Sequence, residues 1–321
     1  MKAIVYRRYG SPDVLALEDV DRPVARDDQV LVRVRAASVN ALDWHFLRGV
    51  PYIVRPTAGW RTPKRPTPGV DVAGVVEAIG KDVTRFQVGD EVCGEKSRAC
   101  AEYVAAPETM LVRKPERLTF EEAASLPAAG VTALQALRDK ARVQPGQSVL
   151  INGASGGVGT FTVQIAKSLG AIVTGVCSTP NVDLVRSLGA DHVIDYTRED
   201  FTRTGQRYDA IIDNVGNRSL LACRRAMAPN GILVVVGAPE GRWIAPIARI
   251  GLAMVLSRLG RRAFVPHLTD TTTADLETLA ELVGTGAVRP VIDRCYPLAG
   301  VPDAIRYLET MRARGKVVIT I

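Results

Sequence analysis

The residues best suited to chemistry sit together in the segment Ser148-Val-Leu-Ile-Asn-Gly-Ala-Ser-Gly-Gly-Val-Gly159. A short apolar run leads straight into glycines at 153, 156, 157 and 159, and an amphipathic stretch follows. Glycine lets the backbone turn sharply and approach a diphosphate. A helix opening at that point offers free N–H groups and the positive end of its dipole to the phosphates. Gly153, Ala154, Ser155, Gly156, Gly157, Val158 and Gly159 are therefore the candidate cradle, with Ala154 where such turns usually carry their first glycine. The competing reading is a structural glycine turn in an α/β domain that binds nothing. An acidic residue about 20 positions further on would grip the ribose 2′-hydroxyl of NAD. Here the next strand ends Val176-Cys-Ser-Thr-Pro-Asn181, with no Asp or Glu before Asp183. Ser178, Thr179 and Asn181 can each donate to a 2′-phosphate, and Tyr196 can reach the same group, so NADPH is favoured over NADH. No Arg or Lys stands in this short loop; Arg186 lies a helical turn or more beyond it. Asn214-Val215-Gly216 and Gly237-Ala238 follow later strands, where ligands of open α/β sheets bind and where glycine admits a nicotinamide.

These residues need a scaffold, and the pattern around them supplies one. Strands are expected at Ser148–Asn152, Ala171–Cys177, Val193–Ile194, Ala210–Asp213 and Ile232–Val236. Helices are expected at Val158–Leu169, Val182–Leu188 and Ser219–Met227, the first two stopped by Gly170 and Gly189. Repeated βα units of this length imply a doubly wound parallel sheet, the Rossmann architecture. Thr119-Phe-Glu-Glu122 has the form of a capping box ahead of an alanine-rich stretch. Before it, valine-rich runs at Lys2–Tyr6, Gln29–Ala36, Val70–Ile79 and Glu91–Gly94 are separated by turn signals, so the first third is β-rich. Residues 55–69, rich in proline and arginine, read as a long exposed loop. From Trp243 to Leu268 the alternation breaks into an apolar segment with spaced arginines: a packed amphipathic helix, or else a lid, a dimer contact or a membrane-touching helix. A helix near Pro302–Met311 and a strand Lys316–Ile321 close the chain.

With the glycine turn in its strand–helix setting, the chain resembles the medium-chain dehydrogenase/reductase superfamily. Ala37-Ser-Val-Asn-Ala-Leu-Asp43, Pro68-Gly-Val-Asp-Val-Ala-Gly-Val-Val76, Val88-Gly-Asp-Glu-Val92 and Gly315-Lys-Val-Val-Ile319 fit the same superfamily. The likeness spans essentially the whole chain and is greatest to the zinc-independent quinone oxidoreductase branch. It implies an α/β fold in which a GroES-like catalytic domain (1–120 and 266–321) is built from both chain ends around a central Rossmann domain (121–265), with the cofactor in the cleft. Zinc-dependent members carry a cysteine where this chain has Asn40, and Gly-His-Glu where it has Gly69-Val70-Asp71. Neither Asn40 nor Val70 is a strong zinc ligand, so no metal is expected. The resemblance also implies that Asn40, Asp43 and Tyr52 belong to the substrate pocket, with Asn40 at the nicotinamide end and Tyr52 against the acceptor, and that Thr132 and Lys316 touch the nicotinamide ribose side.

Without a metal to polarise a ketone, simple alcohol oxidation is harder. Hydride transfer to a quinone or an α,β-unsaturated carbonyl needs less help, because conjugation spreads the incoming charge. Tyr52 or solvent can deliver the proton. The competing readings are a zinc-free oxidoreductase of saturated aldehydes and alcohols, and an NADPH-binding protein with a non-catalytic role at RNA or a membrane, for which the arginine-rich loop and the apolar segment are the supporting features.

Composition sets the outer bounds. The 321 residues are 47% hydrophobic and 23% charged, which excludes a disordered chain and suits two domains. The balance of 41 Lys+Arg against 34 Asp+Glu gives +7, and attraction to a polyanionic cofactor accounts for it; with scattered arginines and 5% aromatics, no nucleic-acid partner is expected. Five cysteines, none in a CxxC spacing, argue against disulfides and structural zinc. His45, His192 and His267 are far apart. The opening Met-Lys-Ala-Ile-Val starts a strand at once and no stretch spans a bilayer, so a cytoplasmic protein is expected. Symmetry priors and the family likeness favour a homodimer.

Overall fold

A computed structural model describes residues 1–50, 52, 55, 59–64, 66–237, 245–258 and 261–321. The chain forms two compact units: residues 1–131, 270–286 and 290–321 make the first, and 132–269 with 287–289 the second. The architecture is mixed α/β, with a GroES-like sheet in the first unit and a parallel Rossmann-like sheet in the second.

The first unit opens with the hairpin β1 (Lys2–Val5) and β2 (Ala16–Asp19). It continues through β3 (Gln29–Val39), α1 (Ala41–Arg48), β4 (Asp71–Ile79), β5 (Glu91–Glu95), β6 (Tyr103–Pro107), β7 (Leu111–Arg113), α2 (Phe120–Ala124) and α3 (Pro127–Gln135). α2 begins at the expected capping box: Thr119 Oγ1 accepts from the Glu122 amide at 3.2 Å, and the Glu122 carboxylate accepts from the Thr119 amide at 2.9 Å. Of the arginine-rich loop, Trp60 is exposed, whereas positions 51, 53, 54, 56–58 and 65 lie outside the described residues.

The second unit contains β8 (Ser148–Asn152), α4 (Gly157–Ser168), β9 (Ile172–Cys177), α5 (Val182–Ser187), β10 (His192–Asp195), β11 (Tyr208–Asp213), α6 (Leu220–Ala226), β12 (Met227–Val235), α7 (Ala245–Arg258) and β13 (Ala263–Pro266). Its six strands are all parallel, in the order β10-β9-β8-β11-β12-β13. The central strands are fully buried runs of valine, leucine and isoleucine, as a sheet covered on both faces requires.

Here the structure corrects one expectation. The stretch from Trp243 to Leu268 does not interrupt the alternation: its described part forms α7 and then β13, which pairs in parallel with β12. Arg249, read from the sequence as a break in the apolar run, is buried, and its Nη2 donates to Asp213 Oδ2 at 2.5 Å. A carboxylate at the end of β11 neutralises it, so the charge does not keep that side of α7 in water. Among the described residues, no helix is long and apolar enough to cross a membrane.

The chain ends in the first unit with α8 (Thr273–Gly284), β14 (Ile292–Pro297), α9 (Val301–Glu309) and β15 (Lys316–Thr320). The large sheet of this unit runs β14-β15-β3-β4-β5-β7, with β6 also on β3. β15 pairs antiparallel with β3, placing Val317 opposite Val39, and β3 pairs with β4, placing Ser38 opposite Asp71. Consequently the last residues of β3 and the first residues of β4 and β15 share one end of the sheet. That end carries the first group of candidate site residues.

Candidate active site

At that end, Lys316 and Asp71 are 3% and 0% exposed, yet both bear ionisable groups. The Lys316 Nζ donates to Asn40 Oδ1 at 2.5 Å and to Asp71 Oδ2 at 3.1 Å. Asn40 Nδ2 donates to the same carboxylate oxygen at 2.9 Å, Ser38 Oγ donates to it at 2.6 Å, and the Ala128 amide donates to Oδ1 at 2.8 Å. Asp71 thus accepts from four donors and faces a buried cation, the arrangement that makes a buried charge tolerable. Both heads of the Asn40 side-chain amide are fixed by the same network.

Asp43 adjoins this cluster. Its Oδ2 accepts from the Asn40 amide and its Oδ1 from the Gly69 amide, each at 2.7 Å. Burial pushes its pKa up to about 6, the two backbone donors pulling the other way. A carboxyl whose folded pKa lies above the unfolded value of about 4 contributes stability below pH 4 and loses it as pH rises through 6. The urea stability of the wild type relative to Asp43→Asn is therefore expected to fall by about 2 to 3 kcal/mol between pH 4 and pH 7. A difference that stays constant over that window would contradict it. The thiols of Cys93 and Cys100 are buried and held protonated, Cys93 at about 12. The Tyr52 ring lies under the Arg55 guanidinium at 4.5 Å, with Tyr9 on the same cation at 4.9 Å. His45, in α1, is stacked on Trp44 at 3.6 Å, and its Nδ1 is 3.1 Å from the Val50 carbonyl oxygen.

The second group lies at the carboxyl ends of the parallel strands. β8 ends at Asn152, and Gly153 turns the chain with φ +80°. α4 starts at the N-cap Gly156, has no side-chain cap and carries no acidic residue in its first turn. Its first amides, on Gly157, Val158 and Gly159, have no partner within the helix. A Cβ at Gly156 would meet only Gly153 O at 3.5 Å, so the space above the helix start is open. At Gly159 a Cβ would come within 2.0 Å of Gly153 O, so only glycine lets the helix pack on the turn. Ala154 and Ser155 are buried beneath, with Ser155 Oγ accepting from Asn181 Nδ2 at 3.0 Å.

Further along the same edge, the Val215 and Gly216 amides donate to Asp213 Oδ1. The side-chain amide of Asn214 is buried with neither its nitrogen nor its oxygen hydrogen-bonded. Gly237 sits so close that a Cβ would lie 2.2 Å from Asn214 O. Ala238 lies outside the described residues. An orphaned amide beside an open, uncapped helix start fits a ligand carrying both a diphosphate and polar groups, as a dinucleotide does. Thr132 Oγ1 lies 2.8 Å from Thr269 Oγ1, whereas Lys316 is engaged with Asn40 and Asp71. On the other side of β8, at the carboxyl ends of β9 and β10, the Thr179 hydroxyl donates to Asp195 Oδ2 at 2.5 Å, and Tyr196 is half exposed just beyond. Asp71 as an ionic partner and Asp195 were missed by sequence reasoning; each reaches its partner through strand pairing, which local spacing does not carry.

Residues 26–116 match the alcohol dehydrogenase GroES-like domain, and 188–319 match the zinc-binding dehydrogenase family. The chain is 36% identical over 334 residues to a 2-methylene-furan-3-one reductase of Solanum lycopersicum, covering 99% of this chain and 79% of that protein. It belongs to the medium-chain dehydrogenase/reductase superfamily, in the quinone oxidoreductase-like branch. An NADPH-dependent alkenal/one oxidoreductase of Arabidopsis thaliana is 34% identical, over 99% of this chain and 79% of that protein. The solved quinone oxidoreductase from Coxiella burnetii superposes with a TM-score of 0.88 at 33% identity, covering 100% of this chain and 99% of that one.

Proposed function

We propose that this member of the superfamily is a zinc-independent oxidoreductase that transfers hydride from NADPH to a quinone or an α,β-unsaturated carbonyl. The observation that carries the reading is the buried Lys316–Asn40–Asp71 network. In zinc-dependent members, a cysteine stands at the position of Asn40 and a histidine at that of Val70. Here one of those positions offers an amide already bound to an ammonium, and the other has no donor atom. Asp71 is fully engaged, and the Lys316 cation repels a second one. This donor set does not fit zinc. The relatives named above as reducing a methylene-furanone and alkenals or enones support the acceptor class, and the NADPH-dependent one supports the reductant.

When bound, a reduced nicotinamide supplies the hydride. The chain's own part is to bind, orient and deliver a proton. The amides at the start of α4 receive the diphosphate. Asn40, locked at both ends by Lys316 and Asp71, keeps its second amide hydrogen for a carbonyl oxygen. A conjugated acceptor spreads the charge that hydride brings, so a hydrogen bond suffices where an unconjugated carbonyl needs a Lewis acid. The Tyr52 phenol supplies the proton that completes the reduction.

The test is NADPH oxidation in chelator-treated buffer with a quinone, an enal, an enone and a saturated aldehyde. Turnover is expected with the first three. Turnover with the saturated aldehyde alone would favour an aldehyde reductase, and turnover with none would overturn the reading. Tyr52→Phe is expected to lower kcat with the enone by about 10- to 100-fold while leaving NADPH binding unchanged; undiminished kcat would remove Tyr52 from the proton path.

A further inference from the structure

The adenosine ribose of a dinucleotide held at the glycine turn belongs at the carboxyl end of β9. That end is fitted with a carboxylate from its neighbour. β10 pairs with β9 in parallel, with Asp195 opposite Cys177, so the Asp195 side chain faces the residues that follow β9. Its Oδ2 accepts from Thr179 Oγ1 at 2.5 Å. Its Oδ1 accepts from the Thr197 amide at 3.0 Å and the Thr197 hydroxyl at 2.8 Å. These donors hold the carboxyl below the usual range, Thr179 most of all, so the group is ionised at neutral pH.

Two consequences follow for a nucleotide. The Thr179 hydroxyl has spent its hydrogen on Asp195 and keeps only acceptor lone pairs, its oxygen also lying 3.1 Å from Thr197 Oγ1. Asn181 has likewise spent both amide hydrogens, on Ser155 Oγ at 3.0 Å and Ser178 Oγ at 3.2 Å. A ribose 2′-hydroxyl is a donor and suits such acceptors, whereas a 2′-phosphate accepts only and meets a like charge. The neighbouring cations are engaged as well. Arg198 Nε lies 3.5 Å from Asp195 Oδ2 with its side chain 77% exposed, and Arg186 lies 3.6 Å from Asp183.

We propose that Asp195 sets the nucleotide preference: it makes Thr179 an acceptor for a ribose 2′-hydroxyl and holds back Arg198, the cation a 2′-phosphate needs, so that NADH is bound as readily as NADPH. This rests on the reading of the glycine turn as a dinucleotide cradle. NADPH is then one of two usable reductants, and Asp195 is the residue that denies its phosphate an advantage.

Equilibrium titrations of NADPH and NADH, followed by nucleotide fluorescence on the full chain, decide the matter without turnover. The wild type is expected to bind the two within about threefold of each other. Asp195→Asn removes the charge and frees Arg198, so NADPH tightens by about three- to fivefold while NADH changes by less than about twofold. Adding Arg198→Gln to that variant should abolish the gain. Thr179→Val, close to isosteric, keeps Asp195 in place and covers the case in which Asp195→Asn does not fold; it should weaken NADH by about threefold and leave NADPH unchanged. A wild type that already prefers NADPH tenfold, or variants that leave the ratio where it was, would overturn the proposal while leaving the cradle intact. Binding of neither nucleotide would overturn the cradle and the proposal together.

Discussion

Replacing Lys316 by methionine is expected to destabilise the protein by about 3 to 5 kcal/mol, the cost of leaving a buried carboxylate without its counter-charge. Asp71 is wholly inaccessible to solvent, and Lys316 provides its only cation within hydrogen-bonding distance among the described residues. Methionine keeps the length and apolar stem of lysine, so the loss does not come from a cavity. Asp71→Asn in the same chain removes the stranded charge while keeping an oxygen for the Ser38 hydroxyl or the Ala128 amide. The double variant should recover most of the loss. Urea titrations at pH 7 check both; a single variant within about 1 kcal/mol of wild type would show that the pair is not the internal charge balance inferred here. Activity separates the structural role from the chemical one: in the double variant Asn40 loses its anchor, so enone turnover should fall even where stability returns.

Gly156→Asp is expected to separate binding from folding more sharply. Gly156 has φ −81° and ψ 177°, which any residue adopts, and the space beyond its Cα is open. An aspartate there caps α4, which a glycine N-cap leaves bare. The variant should be as stable as wild type, or more stable by about 0.5 to 1 kcal/mol. Its carboxylate occupies the amides that a diphosphate would use and sets a like charge against it. Nucleotide affinity should fall by on the order of 100-fold or more. A variant that fails to fold would contradict the local geometry; one that folds and binds normally would contradict the cradle.

Much of the second unit is legible because each of its strands is a buried apolar run bounded by glycine or a polar turn, and because strand and helix periods alternate. A packed helix was legible where α7 stands, but β13 and the continued alternation were not, because Arg249 reads as a surface residue until its partner Asp213 is known, 36 positions away. In the first unit, β14 (Ile-Asp-Arg-Cys-Tyr-Pro) is half buried and polar, and α1 spans only eight residues, so neither shows a clear period. The glycine turn is local and therefore visible in sequence. The Lys316–Asn40 contact bridges 276 positions and exists because β15 returns to pair with β3. No spacing rule reaches that far; family resemblance pointed to both residues, and the structure shows what each touches. Asp195 illustrates the complementary failure: near the end of β10 the sequence points to Tyr196, whereas the carboxylate that reaches Thr179 belongs to the residue before it.

Nucleotide binding rests on the amides at the start of α4. Calorimetric titration of NADPH into the wild-type chain and into Gly156→Asp, each first confirmed folded by thermal melting, tests them directly. One nucleotide bound per wild-type chain, and affinity lower by two orders of magnitude or more in the variant, is the predicted result. Equal affinity in the two proteins, or no binding to the wild type of either NADPH or NADH, would contradict it.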